Sequence, residues 1–214
     1  MNDLIADMRR NLADALRLLL VTDDRYLPEE RLLASITSAV EAGVTAVQLR
    51  LKTVPARRLA ELARVLVRTL PVPVFVNDRP DVAIATGAAG VHLGPGDVSP
   101  AFVRSAWPDA LWLGASVGTP AECGFGAGAD YWGVGPWRST DTKADAGEPV
   151  GLEGFRGIMR LAAARPCIAI GGVRPEDVPM IVKAGGAGVA VISGILGAED
   201  VAAATRRYRR GLPG

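Results

Sequence analysis

The sequence predicts a (β/α)8 TIM barrel, an α/β fold in which a single domain spans residues 1–214. Three observations support this fold class. The length suits one domain, hydrophobic residues make up 49% of the chain, and eight strand-like runs alternate with helix-like segments over roughly 200 residues. An open doubly wound sheet is the alternative, but no G-x-G-x-x-G motif follows the first strand-like run.

The strand-like runs are short and aliphatic, and helix-like segments separate them. The predicted strands are residues 17–22, 44–50, 72–76, 90–93, 111–115, 130–134, 167–170 and 188–192. The predicted helices are residues 28–43, 55–70, a short helix ending at 87, 100–107, 120–127, 152–164, a helix starting near 175, and 198–208. Pro28 suits the first turn of the first of these helices, and Gly43 suits its end. Residues 1–15 are predicted to form an extra helix against the base of the barrel.

Composition disfavours several classes of function. The formal net charge of +1 gives no indication of nucleic-acid or membrane binding. No apolar run reaches the ~18 residues of a membrane span, and Asp3 and Asp7 precede any apolar stretch, which is not typical of a signal peptide. Cys123 and Cys167 are too few for a disulfide framework and are interpreted as packing thiols. We therefore expect a cytoplasmic protein that acts on small molecules, and a homo-oligomer is compatible with the sequence.

Polar residues gather where strands of the predicted barrel end, which is where such barrels carry their sites. The second strand ends in a segment that contains Gln48, Arg50 and Lys52. Because side chains alternate along a strand, Gln48 and Arg50 share the interior face, whereas Val47 and Leu49 face the helices. An interior Arg needs an anion or a partner, so either an anionic ligand or an internal Arg–Asp salt bridge accounts for Arg50.

Two carboxylates follow the next two strands. Asn77 and Asp78 end the third strand, and Asp97 lies in the turn after the fourth. Mg2+ is typically held by one or two carboxylates together with substrate phosphates and water. Asp78 and Asp97 are therefore candidate Mg2+ ligands. The alternative is that each of them caps the helix that follows it.

His92 is the only histidine of the chain, and the alternation of Val91, His92 and Leu93 places it inside the barrel. An interior histidine of this kind is typical of a hydrogen-bonded core residue, and a catalytic role is the alternative. Ser116 ends the fifth strand. A Ser–His–Asp triad is disfavoured, because Ser116 does not lie in a G-x-S-x-G turn.

The segment 135–150 after the sixth strand is long and rich in Gly, Pro, Thr and charged residues. Thr140, Thr142 and Lys143 supply two hydroxyls and a cation within four residues, which suits a carboxylate and a phosphate. A solvated connection is the alternative. Long loops in compact domains tend to be functional, which favours the ligand-binding interpretation.

Glycines follow the last two strands, at Gly171–Gly172 and Gly194. Glycine lets backbone N–H groups approach an anion closely, and barrels of this class often bind phosphate after strands seven and eight. Tight turns without a ligand are the alternative. The residues thus indicate two anion sites, a backbone phosphate cradle and a diphosphate site that combines Mg2+ with Arg50, Lys52 and Lys143. This pattern favours a reaction in which a diphosphate leaves and the protein stabilises charge.

Several motifs over residues 18–197 resemble those of the thiamine phosphate synthase family. They are L-L-V-T-D near the start, Q-L-R-x-K at 48–52, N-D-R-x-D at 77–81, G-V-H-L-G-x-x-D at 90–97, G-A-S at 114–116, G-A-D-Y at 128–131, G-P-x-x-S-T-x-T-K at 135–143, I-G-G at 170–172 and G-V-A-V-I-S at 188–193. Together these motifs are specific for the family, whereas any one of them alone is not.

The resemblance implies a transferase that couples a hydroxymethylpyrimidine diphosphate with a thiazole phosphate carboxylate, giving thiamine phosphate, diphosphate and CO2. The implied mechanism is dissociative. The C–O bond to diphosphate ionises first, and the thiazole nitrogen then captures the pyrimidine cation. Because such a cation needs protection from water, we hypothesise that the 135–150 loop closes over the substrates.

The resemblance also implies roles for the matching positions. Asp78 and Asp97 would bind Mg2+, and Arg50, Ser116 and Lys143 would be catalytic. The implied substrate-binding residues are Gln48, Leu49, Arg50, Leu51, Lys52, Asn77, Ser116, Thr140, Asp141, Thr142, Lys143, Gly172, Ile192 and Ser193.

The sequence departs from the family pattern at a few positions and leaves rival functions to be weighed. Leu51 stands where an acidic residue is common, and Trp137 and Arg138 lie where substrate selectivity could change. A related thiazole tautomerase is the nearest rival, but Asp97 and the T-x-T-K run favour the synthase. A non-catalytic thiamine-phosphate-binding protein and a phosphate-binding barrel enzyme of amino-acid biosynthesis are the other rivals. The first would be expected to lack a ligand residue, and the second leaves the paired Asp residues unexplained.

Overall fold

The computed structural model describes residues 12–26, 29–108, 110–139 and 147–213. Eight parallel strands within these residues close into a barrel, each hydrogen-bonded to the next along the chain and the last to the first. The strands are β1 Leu18–Val21, β2 Ala46–Leu49, β3 Val74–Asn77, β4 Gly90–Leu93, β5 Trp112–Val117, β6 Tyr131–Val134, β7 Cys167–Ile170 and β8 Gly188–Val191. The predicted (β/α)8 barrel is confirmed.

Helices connect the strands around the outside of the barrel. They are α1 Leu12–Ala15, α2 Glu29–Glu41, α3 Ala56–Thr69, α4 Pro80–Thr86, α5 Pro100–Ala106, α6 Gly151–Leu161, α7 Val178–Lys183, α8 Ser193–Leu196 and α9 Val201–Arg209. Among the described residues, no helix combines the length and the apolar character needed to cross a membrane. Pro28 lies outside the described residues, and so does most of the helix predicted over residues 1–15. Of that predicted helix, the described part is α1.

The connection after β5 differs from the prediction. One helix was expected over residues 120–127, but two short 3₁₀ helices form instead, Pro120–Cys123 and Phe125–Gly128. Glycine disfavours the α-helix by about 1 kcal/mol per residue. Glycines at 124, 126 and 128 therefore account for the missing α-helix.

The first two strands are shorter than predicted because residues at their ends leave the ladder. Thr22 was expected to continue β1, and Arg50 was expected to continue β2. Instead the Thr22 hydroxyl accepts a hydrogen bond from the Arg50 amide at 2.9 Å and donates one to the Arg50 carbonyl oxygen at 3.1 Å. This side-chain bridge holds the carboxyl ends of β1 and β2 together beyond the paired residues.

Alternation along each strand separates two hydrophobic layers. On β1, Leu19 and Val21 point into the barrel, whereas Leu18 and Leu20 pack under the helices. A large aliphatic side chain contributes about 1.5–3 kcal/mol when it is fully buried. The outer layer is much the larger of the two, so most of the hydrophobic stabilisation comes from the contact between barrel and helices.

Three aromatic rings fill the amino-terminal half of the barrel interior. The Phe75 and Trp112 rings stack with their centroids 5.9 Å apart, and the Phe75 and Tyr131 rings meet edge to face at 5.8 Å. Such pairs contribute about 0.5–1.5 kcal/mol beyond the area that they bury. We call Phe75, Trp112 and Tyr131 the aromatic floor, because the polar side chains of the interior lie above them.

Gly114 on β5 makes room for the aromatic floor. A Cβ atom at this position would lie 2.3 Å from Cζ of Tyr131 and 2.5 Å from Nδ1 of His92, and both rings are buried. We expect Gly114→Ala to lower the free energy of unfolding by about 1–3 kcal/mol, as overpacked cores do. Urea denaturation would measure it.

Gly124→Ala is the matched control, because no atom lies within 4 Å of a Cβ atom built there. Its backbone is in the right-handed helical region, which alanine adopts without strain. If the two variants were destabilised equally, close packing at Gly114 would not be the cause.

Candidate active site

A cavity of about 490 Å³ opens at the carboxyl ends of the strands. Every strand or the loop that follows it contributes to the lining. The lining residues used below are Gln48, Arg50, Lys52, Asn77, Asp78, His92, Asp97, Ser116, Glu122, Gly171, Gly172, Ile192, Ser193 and Gly194. Barrels of this architecture carry their sites at this end, so the cavity is the candidate active site.

Most of the predicted site residues lie in this cavity. Those that line it are Gln48, Arg50, Lys52, Asn77, Asp78, Asp97, Ser116, Gly172, Ile192 and Ser193. Leu49 and Leu51 do not, because their side chains pack in the layer between barrel and helices. Thr140, Asp141, Thr142 and Lys143 lie outside the described residues, so the hypothesis about closure of their loop stays a prediction.

Two amides form the polar layer directly above the aromatic floor. Gln48 on β2 is almost fully buried, and its side-chain N–H donates to the side-chain oxygen of Asn77 on β3 at 2.6 Å. This contact fixes the orientation of both amides. Their remaining donors and acceptors can then recognise a polar ring in the cavity.

Arg50 pairs with the fully buried carboxylate of Asp23, which follows β1. The internal Arg–Asp salt bridge considered from the sequence is therefore present. Arg50 also lines the cavity, so the salt bridge does not remove the guanidinium from the site. Arg50 can therefore pair with Asp23 and still contact a ligand in the cavity.

Asp78, Asp97 and Lys52 form a charged cluster at the rim. Lys52 pairs with Asp78, and the Asp78 and Asp97 carboxyls lie close enough for their charges to interact. Burial raises the pKa of Asp97, and the Asp78 carboxyl raises it further, against the opposing effect of the hydrogen bond from the Gly94 amide. Two carboxylates this close repel each other when both are ionised, and a cation between them relieves that repulsion.

The helix-capping alternative for the two Asp residues is not observed. The carboxylate of Asp97 accepts from the Gly94 amide at 2.7 Å, within its own turn. Ser99 caps α5 instead, accepting from the Phe102 amide at 3.2 Å. Arg79, not Asp78, occupies the N-cap position of α4. Asp78 has a φ of 64°, a left-handed conformation that costs energy for a non-glycine residue. Both carboxylates are therefore free of a capping role at these helices.

His92 joins the aromatic floor to the cavity. Its Nδ1 lies 3.0 Å from the Tyr131 hydroxyl, and its Nε2 lies 3.0 Å from the Ser116 hydroxyl. The expected hydrogen-bonded core histidine is thus observed. Burial raises the pKa of the Tyr131 phenol, which keeps it protonated. The third position of a Ser–His–Asp triad is taken by this phenol, so Ser116 is oriented rather than activated as a nucleophile.

Glycine backbone after β7 and β8 forms a second wall of the cavity, apart from the charged residues that follow β2, β3 and β4. Gly171 and Gly172 follow β7 with φ values of 85° and 69°, so successive N–H groups can point toward one anion. Ser193 and Gly194 follow β8 on the same wall. Tyr208 on α9 supports both loops from behind, since its hydroxyl donates to the Val173 carbonyl oxygen at 2.9 Å and packs against Gly194.

An ion pair fixes the described stem of the loop after β6. The backbone amides of Trp137 and Arg138 donate to Ile170 and Gly171, which extends the contact between β6 and β7. The Arg138 guanidinium pairs with the buried Asp177 carboxylate. Trp137 is buried as well. These two departures from the family pattern thus anchor the loop and do not line the cavity.

Several residues of the site were not identified from the sequence. Asp23 and Tyr131 end the L-L-V-T-D and G-A-D-Y motifs, but no role was predicted for them because their partners are distant in the chain. Glu122 lines the cavity and accepts from the Gly118 and Thr119 amides at 2.5 and 3.1 Å. The T-x-x-E spacing of Thr119 and Glu122 is that of a capping box and was available as an indication. Asp177 had no such indication.

Fold and site together define a (β/α)8 barrel whose cavity combines cations, two carboxylates and glycine backbone. A model of the thiamine monophosphate synthase family matches residues 18–195. Two relatives are called thiamine-phosphate synthase. The one from Azorhizobium caulinodans is 45% identical over 91% of this chain and 93% of its own, and the one from Moorella thermoacetica is 44% identical over 81% and 85%.

A solved structure agrees with these relatives. The thiamine phosphate pyrophosphorylase of Pyrococcus furiosus superimposes with a TM-score of 0.83 and 39% identity, over 94% of this chain and 97% of the other. The chain belongs to the thiamine monophosphate synthase family.

Asp177→Asn should remove an acid-sensitive contribution to stability. Burial acts to raise the pKa of Asp177, but hydrogen bonds from Arg138 and the Arg174 amide outweigh it, so the pKa is lowered. Such a carboxyl stabilises the fold above its unfolded pKa of about 3.9, and the stabilisation is lost as pH falls through the folded pKa. We expect the free energy of unfolding to fall less steeply in Asp177→Asn than in wild type as the pH drops below about 5.

Urea titrations across this pH range would measure both slopes. The control is Glu176→Gln, which removes the neighbouring, exposed carboxylate and should keep the wild-type slope. Identical slopes for all three proteins would contradict a role for Asp177 in acid sensitivity.

Proposed function

We propose that this enzyme joins a hydroxymethylpyrimidine diphosphate to a thiazole phosphate carboxylate, releasing diphosphate and CO2 and forming thiamine phosphate. The observation that carries the proposal is the cavity itself, which sets a cluster of cations and carboxylates opposite a glycine backbone wall. A reaction between two phosphorylated substrates needs both features. The names of relatives that are 44–45% identical support the synthase over the thiazole tautomerase.

The two walls divide the substrates between them. Arg50 and Lys52 hold the diphosphate of the pyrimidine substrate. Gln48, Asn77 and Ser116 lie between the walls and hold the pyrimidine ring by hydrogen bonds. The backbone at Gly172, Ile192 and Ser193 holds the phosphate of the thiazole substrate. Thr140, Thr142 and Lys143 complete the two anion sites in this proposal.

The reaction proceeds by ionisation followed by capture. The bond between the pyrimidine methylene carbon and the diphosphate oxygen breaks, and its electron pair leaves with the diphosphate. The thiazole nitrogen then donates its lone pair to the methylene cation, forming the new C–N bond. Loss of CO2 from the thiazole carboxylate leaves its electron pair on the ring system, and a proton from solvent then completes thiamine phosphate. The protein contributes charge stabilisation and orientation rather than a covalent intermediate.

Asp78 and Asp97 fit a role as Mg2+ ligands. Both carboxyls line the cavity, and the Asp78 carboxyl adds to the effect of burial in raising the pKa of Asp97, as expected for neighbouring acidic groups. Among the described residues, no group of three or more His, Cys, Asp or Glu side chains could hold a metal. Two carboxylates suffice for Mg2+ when substrate phosphates and water supply the other ligands. When bound, the ion neutralises charge that develops on the departing diphosphate.

We propose that the chain is one domain, that its substrates are small molecules and that it acts in the cytoplasm. In the part of the chain that the structure describes, no helix has the length and apolar character of a membrane span.

A product assay tests the proposed function. Purified protein is mixed with the pyrimidine diphosphate, the thiazole phosphate carboxylate and Mg2+, and thiamine phosphate is measured by chromatography. We expect product when Mg2+ is present and none when a chelator removes it. Isomerisation of the thiazole substrate without product would instead identify a tautomerase.

Asp97→Asn tests the metal site. Because the variant removes one anionic ligand, we expect the Mg2+ concentration for half-maximal activity to rise by about tenfold or more. Binding of Mg2+ in the presence of inorganic diphosphate, measured by calorimetry without turnover, should weaken in parallel.

Asp14→Asn is the control for this variant. Asp14 pairs with Arg17 next to the amino-terminal end of β1, away from the cavity rim. Its Mg2+ dependence should equal that of wild type. An unchanged Mg2+ dependence in Asp97→Asn would remove this carboxylate from the metal site.

A further inference from the structure

The carboxylate of Asp23 lies beside the cavity and pairs with two arginines. Its side chain is fully buried, and both of its oxygens accept hydrogen bonds. Oδ1 accepts from the backbone amide and Nε of Arg25, each at 3.0 Å, and Oδ2 accepts from Nη2 of Arg25 at 3.2 Å and from Nη1 of Arg50. A buried carboxylate requires this degree of pairing.

The two arginines of this cluster differ in what they face. Arg50 lines the cavity, and its side chain is 16% exposed. Arg25 is 49% exposed and is not among the cavity-lining residues. Asp23 therefore connects an arginine on the outer surface to an arginine on the cavity wall.

The backbone of Arg50 is held from the same side. Thr22, the neighbour of Asp23, bonds both the amide and the carbonyl oxygen of Arg50 through its hydroxyl. The Thr22 amide donates to the Gln48 carbonyl oxygen at 3.0 Å. Residues 22 and 23 thus fix the main chain and the side chain of Arg50 together.

We propose that Asp23 is a positioning residue for the reaction, which holds the Arg50 guanidinium at the cavity wall while Arg25 holds Asp23 from the outside. The inference rests on the proposed function, because it takes Arg50 as a ligand of the substrate diphosphate. Asp23 itself lies behind Arg50 and acts through it.

The charges explain why two arginines surround one carboxylate. Asp23 and Arg50 alone would be a neutral pair, in which the carboxylate competes with the substrate for the guanidinium. Arg25 adds a second positive charge, so the three groups together carry one net positive charge. The cavity wall then keeps its attraction for an anion while Arg50 stays fixed in orientation, which reduces the cost of ordering it when the ligand binds.

A double-mutant cycle on the binding of inorganic diphosphate tests this proposal. The probe is inorganic diphosphate with Mg2+, titrated calorimetrically into wild type, Asp23→Asn, Arg50→Met and the double variant. We expect Asp23→Asn to weaken binding about tenfold when Arg50 is present and less than about twofold in the Arg50→Met background. Equal weakening in both backgrounds, or none in either, would overturn the proposal.

Steady-state kinetics separates positioning from a general loss of structure. In Asp23→Asn, the KM for the pyrimidine diphosphate should rise about tenfold, while the KM for the thiazole phosphate changes less than about twofold. A merely structural role would raise both KM values together. The control is Asp81→Asn, because Asp81 pairs with Arg79 across the same two-residue spacing but is exposed and does not line the cavity. It should behave as wild type.

Arg25→Gln keeps the proposal testable if Asp23→Asn does not fold. The Arg25 side chain is half exposed, so its replacement should be tolerated. We expect diphosphate binding to weaken about threefold in the wild-type background and to stay unchanged in the Arg50→Met background. Unchanged binding in both would overturn the proposal. Absence of thiamine phosphate from the wild-type assay would instead refute the proposed function, whereas the diphosphate titration needs no turnover.

Discussion

Parallel pairing of all eight strands is the constraint on which the site depends. Each strand is only four to six residues long, so its interior face offers two or three side-chain positions. The lower positions carry the aromatic floor, and the upper positions carry polar groups from successive strands. Because every strand runs in the same direction, these polar groups meet at one rim although they are distant in the chain.

Charge pairing keeps this polar rim stable before any ligand binds. Arg50 forms an ion pair with Asp23, and Lys52 forms one with Asp78. His92 is hydrogen-bonded to the hydroxyl groups of Tyr131 and Ser116. Among the described residues, no buried side-chain nitrogen or oxygen lacks a hydrogen-bond partner. The Arg50 and Lys52 side chains are therefore already oriented before an anionic substrate binds. Electrostatic catalysis requires this preorganisation.

The sequence predicted those features that depend on local pattern. Alternation along β2 was enough to direct Gln48 and Arg50 inward and Leu49 outward, and strand order was enough to bring Asp78 and Asp97 together. Pairings between distant residues could not be predicted, because they depend on strand register and side-chain reach. Asp23 contacts Arg50 across 27 positions, and His92 contacts Tyr131 across 39. The glycines at 124, 126 and 128 were visible, but their effect on the expected helix was not weighed.

The aromatic floor also determines how molecules travel through the enzyme. Since Phe75, Trp112 and Tyr131 fill the interior below His92, the described barrel offers no passage along its axis. Small molecules therefore reach the described cavity from the carboxyl ends of the strands. A group held against the aromatic floor leaves past the groups held nearer the rim, so the depth at which each group binds affects the order of release.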